Sequence, residues 1–121
     1  MLSQDQIDSY RKNGYIGVEG VLNDQEISTL RETTDHFVEQ SREVTEHTDV
    51  FDLEPSHTKD APKLRRLKSP ILHHDVYRNA LRHPGILGIV SQLIGYGLRC
   101  NGNKLNMKLP EVGSPVEWHQ D

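Results

Sequence analysis

The sequence has a single cysteine, Cys100, and no long apolar run. One cysteine excludes a disulfide framework within the chain and favours a reducing compartment. No apolar stretch is long enough to cross a bilayer. The opening residues "MLSQDQIDSYRK" lack the apolar run of a signal peptide. We therefore expect a soluble, cytoplasmic protein without a membrane partner.

The sequence also lacks a block of like charges. The net charge is −4 over 121 residues, and acidic and basic side chains are interspersed without a block of either. This distribution argues against nucleic acid as a partner. The length of 121 residues allows one domain. The hydrophobic share of residues, 34%, is low for a self-contained globular domain, so the core of that domain is expected to be thin.

Two helix starts are indicated by capping boxes, Ser3 with Gln6 and Asn23 with Glu26. The first helix is predicted to stop at Gly14, and "YIGV" (15–18) is predicted to be a short strand. The second helix is predicted from apolar residues that recur at helical spacing. These are Ile27, Leu30, Phe37 and Val38.

The middle of the chain changes character. Residues 43–62 are polar and acidic and contain two prolines, which predicts a loop or a lid over a substrate. The apolar spacing from Ile71 to Leu81 then predicts a short helix. Pro84 suits the first turn of a further helix, which Gly95 terminates.

From Leu98 onward the pattern is that of strands. In "LRCNGNKLNMKLP", Lys104, Asn106 and Lys108 share one face because successive side chains of a strand alternate. Two interpretations of the lysines stay open: an exposed strand face, or a site for an anionic ligand. "VEWHQD" (116–121) is predicted to start another strand.

His119 and Asp121 are the candidate metal ligands. On a strand their side chains point to the same side, so an imidazole and a carboxylate reach one cation. Such a pair makes up two of the three ligands in the 2-His-1-carboxylate triad of non-haem Fe(II) oxygenases. His-x-Asp alone is a weak signal, because short proteins contain it by chance.

The remaining reactive side chains fit structural roles better. Cys100 has no organised base, and no Gly-x-Ser-x-Gly motif or phosphate loop occurs. The adjacent His73 and His74 diverge on a helix or a strand. The other four histidines are assigned to solvent, the 43–62 loop or a helix junction: His36, His47, His57 and His83.

Three stretches together carry a family resemblance. They are "LSQDQIDSYRKNGYIGVEGVLNDQEISTLRE", "HPGILGIVSQLIG" and "NKLNMKLPEVGSPVEWHQD". In this order they resemble the N-terminal half of a phytanoyl-CoA dioxygenase (PhyH) family protein. The last stretch is the most specific of the three.

The resemblance implies an α+β fold in which N-terminal helices precede the first strands of a double-stranded β-helix, or jelly-roll. Residues 1–121 would be the N-terminal portion of one such domain, with 1–96 mainly helical and 97–121 starting the barrel. It also implies a dioxygenase that uses Fe(II), 2-oxoglutarate, O2 and a small-molecule substrate. His119 and Asp121 would be iron ligands and Asn106 a contact of 2-oxoglutarate. Lys104 and Lys108 are weaker candidates for contact with the co-substrate or the substrate.

The resemblance also carries an expectation about completeness. Family members continue beyond this motif, so we expect the distal histidine and the 2-oxoglutarate-binding arginine to be missing and this chain alone to be inactive. One alternative is a non-catalytic fragment or helical interaction module that binds metal weakly at most. A zinc hydrolase is another, but it needs a third ligand and a base. The sequence does not indicate the substrate or the oligomeric state.

Overall fold

A computed structural model describes residues 1–113 and 115–119. Over these residues the chain forms five α-helices, a 3₁₀ turn (Ser41–Glu43) and one antiparallel three-stranded sheet. The elements are α1 (Gln4–Asn13), α2 (Asp24–Gln40), β1 (Phe51–Leu53), β2 (Leu64–Lys68), α3 (Pro70–His73), α4 (Asp75–Leu81), α5 (Pro84–Ile94) and β3 (Lys104–Asn106). Mixed helices and a small sheet agree with the predicted α+β class. Among the described residues, no helix combines the length and apolarity needed to span a bilayer.

The two predicted capping boxes are present. The Gln6 N–H donates to Ser3 Oγ at 3.2 Å, and the Glu26 N–H donates to Asn23 Oδ1 at 2.9 Å. The Gln6 and Glu26 side chains accept the reciprocal N–H groups of Ser3 and Asn23. Gly14 ends α1 with φ of +82°, a left-handed conformation that glycine adopts without steric cost. Local side-chain chemistry therefore sets these helix ends.

The predicted strand at "YIGV" is wrong. Residues 15–19 form no regular element, and the Tyr15 side chain is largely exposed. A strand requires a hydrogen-bonding neighbour, and the sheet of the described residues contains only β1, β2 and β3.

The predicted loop or lid over residues 43–62 is also corrected, because this segment contains β1. Phe51 and Leu53 of β1 are buried against β2, so the segment is the first half of a hairpin. Two histidines fix the turns around it through their Nδ1 atoms. His47 accepts the Leu53 N–H at 3.1 Å, and His57 accepts the Lys63 N–H at 2.9 Å.

A β-bulge sets which residues of β2 reach the core. Asp52 pairs with Arg66 and Leu53 pairs with Leu64, which leaves Arg65 as the extra residue on β2. Leu64 and Leu67 are three positions apart, yet both are buried to 1% exposure or less. In an unbulged strand they would point to opposite faces.

The core lies between this sheet and helices α2 and α4. Its buried members are Phe37, Phe51, Leu53, Leu64, Leu67 and Tyr77. Phe37 of α2 makes an edge-on ring contact with Phe51, with centroids 6.4 Å apart. The sheet therefore has one face covered by helices, and its other face is the polar one described below.

The helical segment after the hairpin differs in detail from its prediction. Instead of one short helix there are two, α3 and α4, because His74 between them is extended. The His74 imidazole caps α4 by accepting the Val76 N–H at 3.2 Å. Pro84 begins α5 and Gly95 ends it, as predicted.

The last predicted strands are shorter or absent. β3 is limited to Lys104–Asn106, and residues 115–119 of the final segment adopt no regular secondary structure. The strand predicted to begin at Val116 is therefore wrong over 116–119, where no described strand pairs with it. Ser114, Gln120 and Asp121 lie outside the described residues.

Candidate active site

The sheet face that turns away from the helices is polar and predominantly cationic. Its five side chains, here named the polar sheet face, are Asp52, Arg66, Lys68, Lys104 and Asn106. Arg66 and Lys68 flank the buried Leu67, so their side chains project from the opposite side of β2. Their partners on β3 are Asn106 and Lys104, respectively.

Asp52 joins the cations on β2. Its Oδ1 lies 2.9 Å from Lys68 Nζ, and its Oδ2 accepts from Arg66 Nη1 at 3.3 Å. Lys68 also donates to the Thr48 carbonyl at 2.6 Å. Asp52 is only 18% exposed at its side chain, so solvent screens these pairs less than it screens typical surface pairs.

Arg66 extends the network to β3 by donating from Nε to Asn106 Oδ1 at 2.9 Å. Asp52, Arg66 and Asn106 thus form a continuous row across the three strands, with one residue on each. The row holds one carboxylate and one guanidinium, so it is neutral overall.

The second row on this face is not neutral. Lys68 and Lys104 lie directly opposite each other, and like charges in such a pair are destabilising. Over both rows the face carries three cations (Arg66, Lys68 and Lys104) but only one carboxylate, that of Asp52. An anion bound above the face would relieve this excess.

The structure brings two of the three predicted co-substrate contacts onto this face. Lys104 and Asn106 occupy it, whereas Lys108 follows the end of β3. Lys108 and Asn106 both line a cavity of about 130 Å³. Val116, three residues before His119, also contributes to its wall, so the final segment passes beside the polar sheet face.

The sequence interpretation missed Asp52, Arg66 and Lys68. The signal was present in "LRRLK", where a basic residue stands on each side of an apolar one at strand spacing. Asp52 carried no such signal, because only the pairing of β1 with β2 brings it next to the two cations.

His119 is exposed and lies in the irregular segment 115–119. Its Nδ1 is 2.7 Å from the Glu117 carbonyl oxygen. A carbonyl only accepts, so Nδ1 carries the proton and a neutral ring has its lone pair on Nε2. A metal-binding histidine is commonly oriented in this way, with one ring N–H held by a backbone carbonyl.

The donor types suit Fe(II), since imidazole nitrogen and carboxylate oxygen are ligands of the facial triad. Asp121, the predicted second ligand, lies outside the described residues. Within residues 1–113 and 115–119, no three His, Cys, Asp or Glu side chains gather as a metal site.

The other histidines have structural contacts. His83 Nε2 lies 3.1 Å from Glu26 Oε1 and joins the start of α5 to the start of α2, in agreement with its predicted place at a helix junction. His47 and His57 both brace the hairpin through Nδ1. His47 is exposed, as interpreted, whereas His57 is half-buried, which corrects its interpretation as a solvated loop residue. Cys100 is exposed, and its thiol donates to the Gly102 carbonyl.

A larger cavity of about 270 Å³ lies between α2 and α4. Its lining is mostly apolar and includes Leu22, Leu30 and Val76. Glu26 and His83 are its charged or titratable members, and they contact each other. It therefore offers less chemistry than the polar sheet face.

Comparison with known proteins gives one family and one relative. The family described as phytanoyl-CoA dioxygenase (PhyH) matches residues 10–121. A probable alpha-ketoglutarate-dependent hypophosphite dioxygenase of Stutzerimonas stutzeri is 26% identical over 112 residues. That alignment covers 93% of this chain and 39% of the relative, so the chain spans about two fifths of the relative's length.

Proposed function

The chain belongs to the phytanoyl-CoA dioxygenase (PhyH) family, and from this premise we propose that it contributes the first part of the active site of an Fe(II)- and 2-oxoglutarate-dependent dioxygenase. The observation that carries the proposal is the polar sheet face, which meets the segment leading to His119 at a shared cavity. The name of the Stutzerimonas relative supports the choice of co-substrate, because alpha-ketoglutarate is 2-oxoglutarate.

In this proposal His119 and Asp121 hold the metal. The Glu117 carbonyl favours the His119 tautomer in which Nε2 carries the lone pair that binds a cation. A second histidine completes a triad of this kind. When bound, Fe(II) and 2-oxoglutarate supply the oxygen-activating chemistry, while the protein orients them and excludes water.

The polar sheet face has the charge needed for a dicarboxylate. Lys104 supplies a cation and Asn106 an amide donor from adjacent outward positions of β3. Lys108, next to the cavity, is a third candidate contact. Bound carboxylate oxygens would receive charge-assisted hydrogen bonds from these side chains.

The substrate is proposed only as a small molecule. The relative's name contains hypophosphite, a small anion, and the same excess of positive charge suits an anionic substrate. We further propose that the fold continues as a jelly-roll of which the described sheet is the beginning. Residues 1–96, which are mainly helical, contribute β1 and β2 to that sheet.

The test is an anaerobic calorimetric titration of the full chain with Fe(II), then with 2-oxoglutarate. Since loss of a supporting residue alone weakens metal affinity about 10- to 100-fold, we expect His119→Ala to lose at least as much. His36→Ala is the matched control, because His36 is an exposed histidine on α2. Equal Fe(II) affinity in all three proteins would overturn the proposal in favour of a non-catalytic module.

A further inference from the structure

We infer that Arg66, held by Asp52, is a positioning residue that aims the Asn106 amide so that its N–H groups face a carboxylate of the co-substrate. This inference rests on the proposed function for the identity of the ligand. Its geometric part, the orientation of the amide, stands on the hydrogen bonds of the described residues.

The orientation follows from hydrogen-bond chemistry. A guanidinium has five donors and no acceptor, so the group it contacts on Asn106 must be the amide oxygen. Arg66 Nε donates a hydrogen bond to that oxygen at 2.9 Å. The Asn106 NH₂ group is therefore turned away from Arg66. Among residues 1–113 and 115–119 no side chain or carbonyl accepts from it.

Arg66 is itself held at its other end. Its Nη1 donates to Asp52 Oδ2, and Asp52 is anchored in turn by Lys68. The strand register places the three residues of the row directly opposite one another. A long, flexible side chain is thus fixed at two points, which removes much of the entropy cost of holding Asn106.

The residue choice on β3 supports a binding role. Asparagine is disfavoured in strands, and Asn106 is exposed, so it contributes little to the sheet. A fixed pair of amide donors beside a lysine is, by contrast, suited to bind an anionic acceptor. The bulge at Arg65 lies next to this row, and Arg66 pairs with Asp52 and Asn106 in the regular part of each ladder.

The test is a double-mutant cycle for 2-oxoglutarate affinity on the Fe(II)-loaded full chain. Arg66→Met and Asn106→Ala should each weaken binding roughly tenfold or more, as expected for a lost hydrogen bond to a charged group. The double variant should be no weaker than either single variant, because both changes remove the same interaction. Additive losses would overturn the inference.

Two variants separate positioning from charge and from folding. Arg65→Met removes the same charge from the neighbouring position, where the side chain makes no hydrogen bond to any described residue, and should weaken binding less than Arg66→Met. Asn106→Asp keeps an acceptor for Arg66, so the fold is retained, but it replaces the donors with a carboxylate. It should bind 2-oxoglutarate more weakly than Asn106→Ala, and wild-type affinity would overturn the inference.

A second readout keeps the two proposals distinguishable. The Asn106 side-chain amide resonances should move in Arg66→Met and stay in place in Arg65→Met, without any ligand present. Unmoved resonances in Arg66→Met overturn the positioning role. A wild-type chain that binds no 2-oxoglutarate overturns the co-substrate assignment, while the shifted amide resonances would still support the orientation.

Discussion

Lys68 and Lys104 are direct cross-strand partners on an antiparallel pair, with their side chains on the same face. Two positive charges in this arrangement repel each other, and Asp52 offsets only part of the repulsion. A sheet selected for stability alone would favour opposite charges at these positions.

Lys104→Glu should therefore stabilise the chain while weakening anion binding. We expect the free energy of unfolding to rise by about 0.2–1 kcal/mol, since an opposite-charge pair replaces a like-charge pair. Urea unfolding measures the gain, and titration with 2-oxoglutarate measures the loss. Arg31→Glu is the control, because it makes the same charge change on the exposed side of α2. The same pair of effects in both variants would contradict a local role for Lys104.

Leu67→Ala should be among the most destabilising single substitutions. Leu67 is fully buried at the centre of the core, so truncation leaves a cavity and costs about 2–5 kcal/mol. Leu72→Ala removes the same atoms from a side chain that is 72% exposed and should cost far less. Urea midpoints of the two variants compare them directly. Similar losses would mean that the sheet and helices do not share this core.

Tyr77 should make stability depend on pH in the alkaline range. Burial raises the pKa of the Tyr77 phenol above its ordinary value. The unfolded chain then loses this proton first, so stability is full below about pH 10 and falls as pH rises toward the folded-state pKa. Tyr77→Phe should flatten that decline, while Tyr15→Phe, an exposed control, should leave it unchanged.

The same substitution has an effect at neutral pH. Thr34 Oγ1 donates to the Leu30 carbonyl, so in the 2.8 Å contact between Thr34 and Tyr77 the phenol is the donor. Removing it should cost about 1 kcal/mol. Thermal or urea unfolding near pH 7 would detect the loss, and an unchanged midpoint would show that water replaces the bond without penalty.

Glu26 should contribute more to stability than its place in a capping box implies. Its carboxylate accepts from the Asn23 N–H at 2.8 Å and contacts His83 at 3.1 Å. Glu26→Ala loses both interactions, which predicts a cost of about 2 kcal/mol. Gln6→Ala is the matched control, because Gln6 holds the same position in α1 without a partner on another element. Equal losses would show that the contact between Glu26 and His83 does not stabilise the packing of α2 against α5.

The local features of the chain were predictable because neighbouring residues determine them. Ser3, Asn23 and Pro84 mark helix starts through their own hydrogen bonds or ring geometry. The shared face of Lys104 and Asn106 followed from strand alternation. The "YIGV" strand failed for the converse reason, since β-propensity produces a strand only when another strand pairs with it.

The sequence by itself determined the starts of α1, α2 and α5, the candidate ligand His119 and the family resemblance, which the match over residues 10–121 confirms. The tertiary structure decided the hairpin, the bulge at Arg65 and the row formed by Asp52, Arg66 and Asn106. The physical reason is the separation in sequence between the residues that interact. A helix cap satisfies its hydrogen bonds within four residues, whereas Arg66 and Asn106 are forty residues apart, and only the pairing of β2 with β3 makes them neighbours.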